Sequence, residues 1–353
     1  MAADRTGSTG FVHHACLYGS DAQFLAMAVP FVRDGLAAGE PVLAATTPAN
    51  IELLREALGE SAHHLDTAET AHFGRRPVDR VAAFLRYHQR RARPGRRTRM
   101  IAEPVWAGRS ARQTAEWKRM ESGLNVLLAG LPVWMVCPYD TRVVPGGVAE
   151  AALATHPVRL DGERQAPCAS YTDPAAYAAA MEGPAASCAP PSAASTGPTD
   201  DAAALRRLAR ERAAGAGLTG GRLALAELAA HEAAAYLLAP EAARVTLRAW
   251  EEPGAVVYEL RRTGRGGRTG RDGGRTDRYG GRMGPGDGRG AVPDAAVPPF
   301  AGYRPPAPPG AAHGAEDGLW LARSLADSLE VRARGPETVL TLRVAGAGDA
   351  ERL

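Results

Sequence analysis

The sequence predicts an α/β protein in two parts: a mostly parallel sheet over residues 11–160 and a two-layer α+β sandwich over residues 203–345. Three observations lead to this prediction. Strand and helix signals alternate through the first part, which is typical of a parallel sheet. The second part places two helices before its first strands. Between the parts, residues 161–202 shift to Ala, Pro and Ser, a composition that predicts a disordered linker.

The first part begins with a short strand and a capped helix. HHACLYG (13–19) predicts a strand that ends in a turn. Ser20 and Asp21 are N-cap residues for an amphipathic helix that Gly39 closes. Pro30 lies inside this helix and predicts a kink or a break, because proline removes one backbone donor.

The alternation continues to residue 160. The predicted strands are PVLAAT (41–46), the weak HHLDT (63–67), TRMIAE (98–103), PVWMVCPYD (132–140) and HPVRL (156–160). The predicted helices are residues 50–59 after the cap Thr47-Pro48, then 76–92, 110–131 and 145–154. Apolar strands separated by helices indicate a sheet that is buried on both faces.

The second part combines helices, a hairpin and a long insert. Helices are predicted at 203–215 and 219–238, followed by the strands 243–252 and 255–262 with Pro253-Gly254 at their turn. Residues 264–312 are rich in Gly, Arg and Pro, so they predict a disordered insert. A helix and a strand return at 317–335, and a final strand at 337–346.

Composition excludes several classes of protein. No apolar run reaches the roughly 18 residues of a membrane span, and the N-terminus has no signal-peptide pattern, so we expect a cytoplasmic protein with no membrane partner. The four cysteines contain no C-x-x-C pair, which excludes a zinc ribbon and a disulfide framework. The net charge is +3, and Lys118 is the only lysine. This arginine bias weakens any nucleic-acid interpretation of the Gly/Arg insert, so no nucleic-acid partner is expected.

Polar and aromatic side chains collect where the predicted strands end. Ligands of an open α/β sheet bind outside the carboxyl ends of its strands. We therefore predict a small-molecule site there, formed by His13, Tyr18, Glu103, Trp106, Glu121, Asn125, Tyr139 and Asp140. Glu121 and Asn125 share one helix face by their spacing. Packing is an alternative role for Trp106, and a turn or N-cap role is an alternative for Asp140.

His13, His14 and Cys16 raise the alternative of a metal site, which Glu103 would complete. Successive strand residues point to opposite faces, so His13 and His14 cannot both face one ion, whereas His14 and Cys16 share a face. We therefore predict no metal. Cys16 and Cys137 at neighbouring strand ends leave a redox-responsive pair as a further alternative.

The first part resembles the MEDS sensory domain, a RecA-like module without a phosphate loop. The resemblance covers nearly all of residues 11–160. It is carried by H-x-A-x-x-Y (His13, Ala15, Tyr18), A-E-P-V-W (Glu103, Trp106), Glu121 with Asn125, and C-P-Y-D (Cys137, Tyr139, Asp140). The resemblance implies that this part senses a small ligand. No G-x-x-x-x-G-K-[ST] motif occurs in it.

Residues 203–345 resemble the GHKL ATPase fold of histidine kinases and anti-sigma serine kinases. In that family one helix carries N-E-x-x-x-N, whose glutamate is a general base and whose last asparagine holds Mg²⁺. Glu232 matches the glutamate, His231 the first asparagine and Tyr236 the metal-binding asparagine. The family's D-x-G is Arg262-Thr263-Gly264 here, and Gly318 keeps the later glycine of G-x-G-L-W.

These replacements imply a degenerate nucleotide site. Tyrosine seldom binds Mg²⁺, and arginine has only donors, so Arg262 cannot accept a hydrogen bond from adenine. Glu232 is then a vestigial general base, and we expect no cofactor. ATP and Mg²⁺ would bind only if the site still functions.

The resemblances together imply a signalling regulator. The leading expectation is a ligand sensor joined to a pseudokinase of the anti-sigma type that binds a sigma factor or an antagonist protein. One alternative is an active serine-protein kinase. Another is a ligand or redox sensor whose second domain is a scaffold for a homodimer.

Overall fold

The computed structural model describes residues 10–181, 189–240, 243–263, 299–306, 315–334 and 337–346. The chain divides into two compact units. The first takes its described residues from Met1–Cys188 and Pro299–Ser324, and the second from Ala189–Pro298 and Leu325–Gly348. Most of the insert predicted at 264–312 lies outside the described residues. The predicted domain boundaries stay a prediction.

The first unit contains a seven-stranded sheet. Its strands are β1 (Val12–Tyr18), β2 (Val42–Thr46), β3 (Asp66–Glu69), β4 (Thr98–Ala102), β5 (Val133–Asp140), β6 (Val158–Asp161) and β7 (Arg164–Pro167). They lie in the order β3-β2-β4-β5-β1-β6-β7. Every neighbouring pair is parallel except β6 and β7. The predicted mostly parallel sheet is therefore confirmed, while the RecA-like assignment stays a prediction.

Six helices connect or flank these strands. They are α1 (Asp21–Ala37), α2 (Pro48–Leu58), α3 (Pro77–Arg91), α4 (Ala111–Leu127), α5 (Val148–Thr155) and α6 (Pro174–Met181). Side-chain caps fix where α1, α2 and α4 begin. Ser20, Thr47 and Ser110 each accept a hydrogen bond from a backbone N–H in the first turn, which satisfies a donor that the helix leaves open.

The helix α1 runs through Pro30 as one 17-residue element, so the break that proline allowed is not observed. The proline forfeits one backbone hydrogen bond. Phe24 and Met27 before it and Phe31 after it are all buried, and this continuous apolar face holds both halves of the helix against the sheet.

The two faces of the sheet carry separate cores. Side chains of α1 and α2, such as Phe24 and Leu54, pack on one face. Side chains of α3 and α4, such as Phe84 and Met120, pack on the other face. Phe300 belongs to this second core, where its ring lies against Gly123 of α4. A Cβ at Gly123 would stand 2.6 Å from that ring, so the close approach requires glycine.

The linker predicted at 161–202 is partly ordered, which corrects the sequence prediction for its described residues. β6 and β7 form an antiparallel hairpin around Gly162, which has a φ of +57°. The dipeptide Asp161-Gly162 is a hairpin-turn signal that the composition argument overlooked. Asp173 then caps α6 by accepting hydrogen bonds from the backbone of Ala175 and Ala176. Local turn and cap chemistry outweighs the Ala/Pro/Ser composition here.

The second unit has two helices on an antiparallel sheet. Its elements are α7 (Ala202–Gly215), α8 (Gly220–Leu238), β8 (Ala194–Ser195), β9 (Val245–Glu252), β10 (Ala255–Thr263), β11 (Ser328–Arg334) and β12 (Glu337–Ala345). The strand order is β11-β12-β10-β9-β8. α7 contacts β9, and α8 contacts β10 and β12. An α+β arrangement is therefore observed, and the GHKL assignment stays a prediction.

The helix α9 (Ala315–Leu325) falls almost entirely within the first unit. Its Arg323 donates a hydrogen bond to the carbonyl of Ala301 and lies over the ring of Tyr303. Across the described residues, no helix is both long and apolar enough to cross a membrane.

Candidate functional site

The carboxyl ends of β2 and β4 form a crevice in the first unit. The chain leaves β2 toward β3 on one side and leaves β4 toward β5 on the other. Because the chain leaves these two adjacent parallel strands in opposite directions, a gap opens between the loops that follow them. Ligands of such sheets bind in this gap. Thr46 ends β2, and Glu103 directly follows β4.

The carboxylate of Glu103 is buried in this crevice and saturated with donors. The Tyr18 hydroxyl donates to Oε1 at 2.7 Å. Oε2 accepts from the Asn50 side-chain amide at 2.9 Å and from the Thr46 hydroxyl. The backbone N–H of Thr47 adds a longer contact of 3.4 Å to the same oxygen. Because donors from β1, β2 and α2 meet on one carboxylate, Glu103 fixes the geometry of the crevice.

An open cleft of about 290 Å³ lies above this network. Acidic side chains dominate its lining, namely Asp21, Glu52, Glu56, Glu103 and Asp140, and Arg142 is the cationic side chain among the lining residues. Arg142 is engaged, since its guanidinium contacts Asp140 at 2.8 Å and Asp21 at 3.0 Å. Hydrogen bonds from Arg142 lower the pKa of Asp140. The lining of the cleft therefore holds five carboxyl groups against one guanidinium.

A second group of polar side chains is buried under the other face of the sheet. His13 comes from β1, Cys137 from β5, Glu121 from α4, and His156 directly follows α5. Their potential ligand atoms all lie within 4.8 Å of one another, and all four residues are buried. We call these four residues the buried cluster.

Hydrogen bonds orient both imidazoles of the buried cluster. His13 Nδ1 lies 3.2 Å from Oδ1 of Asn125, and His156 Nδ1 lies 2.8 Å from the carbonyl oxygen of Ala152. Both partners are acceptors, so each Nδ1 carries the proton. Each Nε2 then keeps its lone pair. The Nε2 atoms lie 4.0 Å and 3.8 Å from the same Oε2 of Glu121.

Burial shifts the pKa of each member of the buried cluster in the direction that favours its neutral form. Desolvation lowers the pKa of His156 to about 3 and places that of His13 well below its usual value. Desolvation raises the pKa of Glu121 to about 7, against the opposing effect of the Arg80 guanidinium. It also raises the pKa of the Cys137 thiol. The cluster is thus costly to charge unless a compensating cation is present.

Two aromatic side chains and one arginine surround the buried cluster. The Tyr139 hydroxyl donates to Glu121 at 3.3 Å, and its ring stacks on Trp106 with centroids 6.3 Å apart. The fully buried Arg80 guanidinium donates to the carbonyls of Phe73 and Glu103. Arg80 therefore links the loop after β3 to the end of β4.

The predicted sensor residues divide between two places. Tyr18, Glu103 and Asp140 line the open cleft. His13, Glu121, Asn125 and Tyr139 lie together around the buried cluster, with Trp106 stacked beside them. His14 and Cys16 face the opposite core, where the indole N–H of Trp134 donates to His14. The alternation argument for the two histidines is therefore confirmed.

Several residues of these sites were missed from the sequence. Thr46 ends β2 and Asn50 lies in the first turn of the helix that follows, so a search of the strand ends and the turns after them could have found both. Arg80 and His156 depend on which helix packs on which strand, a tertiary fact without a local signal. The prediction of no metal considered His13 with its sequence neighbours, whereas the structure brings it to Cys137, Glu121 and His156.

The predicted nucleotide residues lie on several elements of the chain. His231, Glu232 and Tyr236 lie on α8, and Arg262 on β10, in the second unit. Arg262 donates to the hydroxyl of Thr338 on β12 at 3.2 Å. Gly318 falls within the first unit, and Gly264 lies outside the described residues. Their assignment to a degenerate nucleotide site stays a prediction.

Comparison with known proteins identifies only the first part of the chain. No curated protein matches the sequence significantly. Residues 12–157 match the family model of MEDS, the methanogen/methylotroph, DcmR sensory domain. This match covers the strands β1 to β5, both groups of polar side chains described above, and the helices between them. The N-terminal domain of this chain is a MEDS domain.

Proposed function

We propose that the protein is a signalling sensor whose MEDS domain binds a small ligand in the cleft above Glu103. The observation that supports this most directly is the Glu103 network, in which three side chains and one backbone N–H hold a buried carboxylate at the floor of the cleft. Small-molecule sites are usually largely pre-formed clefts in which a few fixed polar groups orient the ligand, and the Glu103 network supplies such fixed groups.

The charge of the cleft favours a particular class of ligand. Five carboxylates line it, and Arg142 already contacts two of them. A small cation, such as an organic amine, would complement this surface, whereas an organic anion would be repelled. The volume of about 290 Å³ lies near the lower end of small-molecule pockets, which span roughly 300–1,000 Å³.

A thermal-shift screen of the full-length protein tests this site. The compounds would be mono- and diamines with up to about ten non-hydrogen atoms, with the matching carboxylic acids as controls. We expect amines to raise the melting temperature, because a ligand that binds only the folded state stabilises it. Asp140→Asn should remove the shift, and Asp66→Asn outside the cleft should keep it. Stabilisation by the acids alone would contradict the proposal.

We further propose that the C-terminal part acts through protein binding rather than phosphoryl transfer, as a degenerate anti-sigma-type domain. The support is chemical. Tyr236 stands where the resembling motif has a Mg²⁺-binding asparagine, and the Arg262 guanidinium is engaged by Thr338. A sigma factor or its antagonist is the partner class that this resemblance suggests.

Incubation with labelled ATP and a pull-down experiment distinguish the candidate functions of the C-terminal part. We expect no phosphoserine on a candidate antagonist and no micromolar binding of Mg²⁺-ATP by the full chain. We expect a sigma factor or antagonist in the pull-down. Phosphoserine formation would instead favour an active kinase. A chain that forms homodimers and retains neither partner would favour the scaffold alternative.

A further inference from the structure

We propose that His13, Glu121, Cys137 and His156 form a binding site for one divalent transition-metal cation, with Zn²⁺ as the best-matched ion. The site is separate from the cleft proposed above for the organic ligand. It lies under the face of the sheet that α4 covers, and it does not depend on which ligand the cleft binds.

The four donor atoms approach the spacing of a tetrahedral site. With zinc bonds of about 2.0–2.3 Å, neighbouring ligand atoms stand about 3.3–3.8 Å apart. The distance from His13 Nε2 to Cys137 Sγ is 3.4 Å, and from His156 Nε2 to Glu121 Oε2 it is 3.8 Å. The remaining distances stay within 4.8 Å. A small inward movement of the side chains would complete the coordination.

Hydrogen bonds at Nδ1 orient both imidazoles for metal binding through Nε2. In metal sites, the ring nitrogen that does not bind the ion usually donates to a carbonyl or carboxylate, which fixes the tautomer. His13 donates in this way to Asn125, and His156 donates to the backbone carbonyl of Ala152. Both Nε2 lone pairs are thereby presented to the centre of the cluster.

The Nε2 atom of His156 is the observation that a hydrogen-bond network cannot explain. His156 is fully buried, and this nitrogen has no hydrogen-bond partner among the described residues. The cluster also holds more acceptors than donors. Among the residues that the structure describes, the two Nε2 atoms and the Glu121 carboxylate share the Cys137 thiol and the Tyr139 hydroxyl as donors. A cation at the centre would satisfy all the acceptors at once.

The donor set selects the class of ion. Two imidazoles and one thiolate suit borderline and softer ions, whereas Mg²⁺ and Ca²⁺ require oxygen ligands. A thiolate and a carboxylate balance the charge of a divalent ion, so the nearby Arg80 cation faces a neutral centre. Four protein ligands leave no open position, which is typical of a structural site rather than a catalytic one.

Cobalt titration of the full-length protein tests the proposal, because Co²⁺ occupies zinc sites and reports a thiolate ligand by charge-transfer absorption. The protein would first be treated with a chelator. We expect one Co²⁺ per chain and a thiolate-to-cobalt band that Zn²⁺ abolishes. Cys137→Ser should remove the band. Cys16→Ser is the matched control, since Cys16 is equally buried but faces the opposite core.

A chain with Cys137 as its only cysteine removes the risk that Cys137→Ser fails to fold. It carries Cys16→Ser, Cys168→Ser and Cys188→Ser, and it should keep the full band. His156→Gln and Glu121→Gln should each weaken Co²⁺ binding at least about 100-fold, and Asn125→Ala about 10- to 100-fold. Absence of stoichiometric binding, or loss of the band when Cys137 is the only cysteine, would overturn the proposal.

Discussion

Glu103 and Glu121 are buried to nearly the same extent in the same domain, yet their surroundings differ. Their exposed fractions are 5% and 4%. Glu103 accepts hydrogen bonds from three side chains and one backbone N–H. Glu121 accepts a long bond from Tyr139 and faces two imidazole nitrogens that present lone pairs. Burial alone therefore does not reveal the role of a carboxylate; the balance of donors and acceptors around it does.

This difference assigns the two carboxylates to different tasks. A saturated carboxylate needs no further partner, so Glu103 serves as a fixed floor on which a ligand can rest. An undersupplied carboxylate among further acceptors needs positive charge, which a metal ion provides. The following four predictions test this contrast in order of decreasing effect.

The largest effect is expected from Arg80→Leu, because Arg80 ties the loop after β3 to the end of β4 beside Glu103. The change removes the guanidinium donor of the Phe73 carbonyl and one of the two donors of the buried Glu103 carbonyl, which keeps the Thr70 hydroxyl. We expect the free energy of unfolding to fall by about 3 kcal/mol. Urea unfolding followed by tryptophan fluorescence measures it, since four of the five tryptophans lie in the first unit. Arg86→Leu, on the exposed side of α3, is the control. A loss below about 1 kcal/mol would contradict the role of Arg80.

A smaller loss, about 2 kcal/mol, is expected from Glu103→Gln. The amide group of glutamine is a donor, so it would face the Asn50 amide and the Thr46 hydroxyl, which are donors themselves. The same urea experiment measures the loss. Glu56→Gln at the exposed rim of the cleft should change stability little. If both variants behaved alike, the Glu103 network would not stabilise the fold.

Glu227 extends the comparison to a carboxylate whose two cationic partners are exposed. Arg206 and Arg210 contact it at 2.5 Å and 2.6 Å, and their hydrogen bonds lower its pKa. Both arginines are more than half exposed, so we expect Glu227→Gln to cost less than about 1 kcal/mol. The contribution is present above the ordinary glutamate pKa and is lost as pH falls through the lowered value.

Thermal unfolding followed by circular dichroism tests the Glu227 prediction. The melting temperatures of the wild type and the variant should differ slightly at pH about 7 and converge once the pH lies below the lowered pKa of Glu227, where the carboxylate is protonated in both states. A difference that persists at the acidic pH would show that the effect is not electrostatic.

The smallest effect on stability is expected from Glu121→Gln in the presence of a chelator. An amide of the same shape keeps an oxygen acceptor for the Tyr139 hydroxyl and the Cys137 thiol, so we expect a change within about 0.5 kcal/mol. The contrast appears on adding Zn²⁺, which should raise the melting temperature of the wild type and leave the variant unchanged. If Glu121→Gln in the presence of a chelator lost as much stability as Glu103→Gln, the distinction between the two carboxylates would be contradicted.

The sequence was sufficient for the features that local rules determine. Apolar strands that alternate with helices predict the parallel sheet, and that rule also places Tyr18, Glu103 and Asp140 at strand ends. Side-chain alternation correctly separates His13 from His14. The hairpin at Asp161-Gly162 was missed because composition was weighed above turn chemistry, although the turn signal is local and could have been recognised.

The buried cluster could not be derived from the sequence in the same way. Its members come from β1, α4, β5 and the end of α5, and residues 13 and 156 lie far apart in the chain. Only the packing of α4 and α5 on one face of the sheet brings Glu121 and His156 to the strand residues. Likewise, the contact of Phe300 with Gly123 depends on residues from Pro299 onward, which lie within the predicted insert, belonging to the first unit.

X-ray absorption spectroscopy at the zinc edge on the full-length protein, loaded with one equivalent of Zn²⁺ and freed of excess metal, tests the central claim most directly. The buried cluster predicts one sulfur at about 2.3 Å and nitrogen or oxygen ligands at about 2.0–2.2 Å, with imidazole scattering behind them. A shell without sulfur, or a protein that retains no zinc, would contradict the assignment of Glu121 and its neighbours to a metal site.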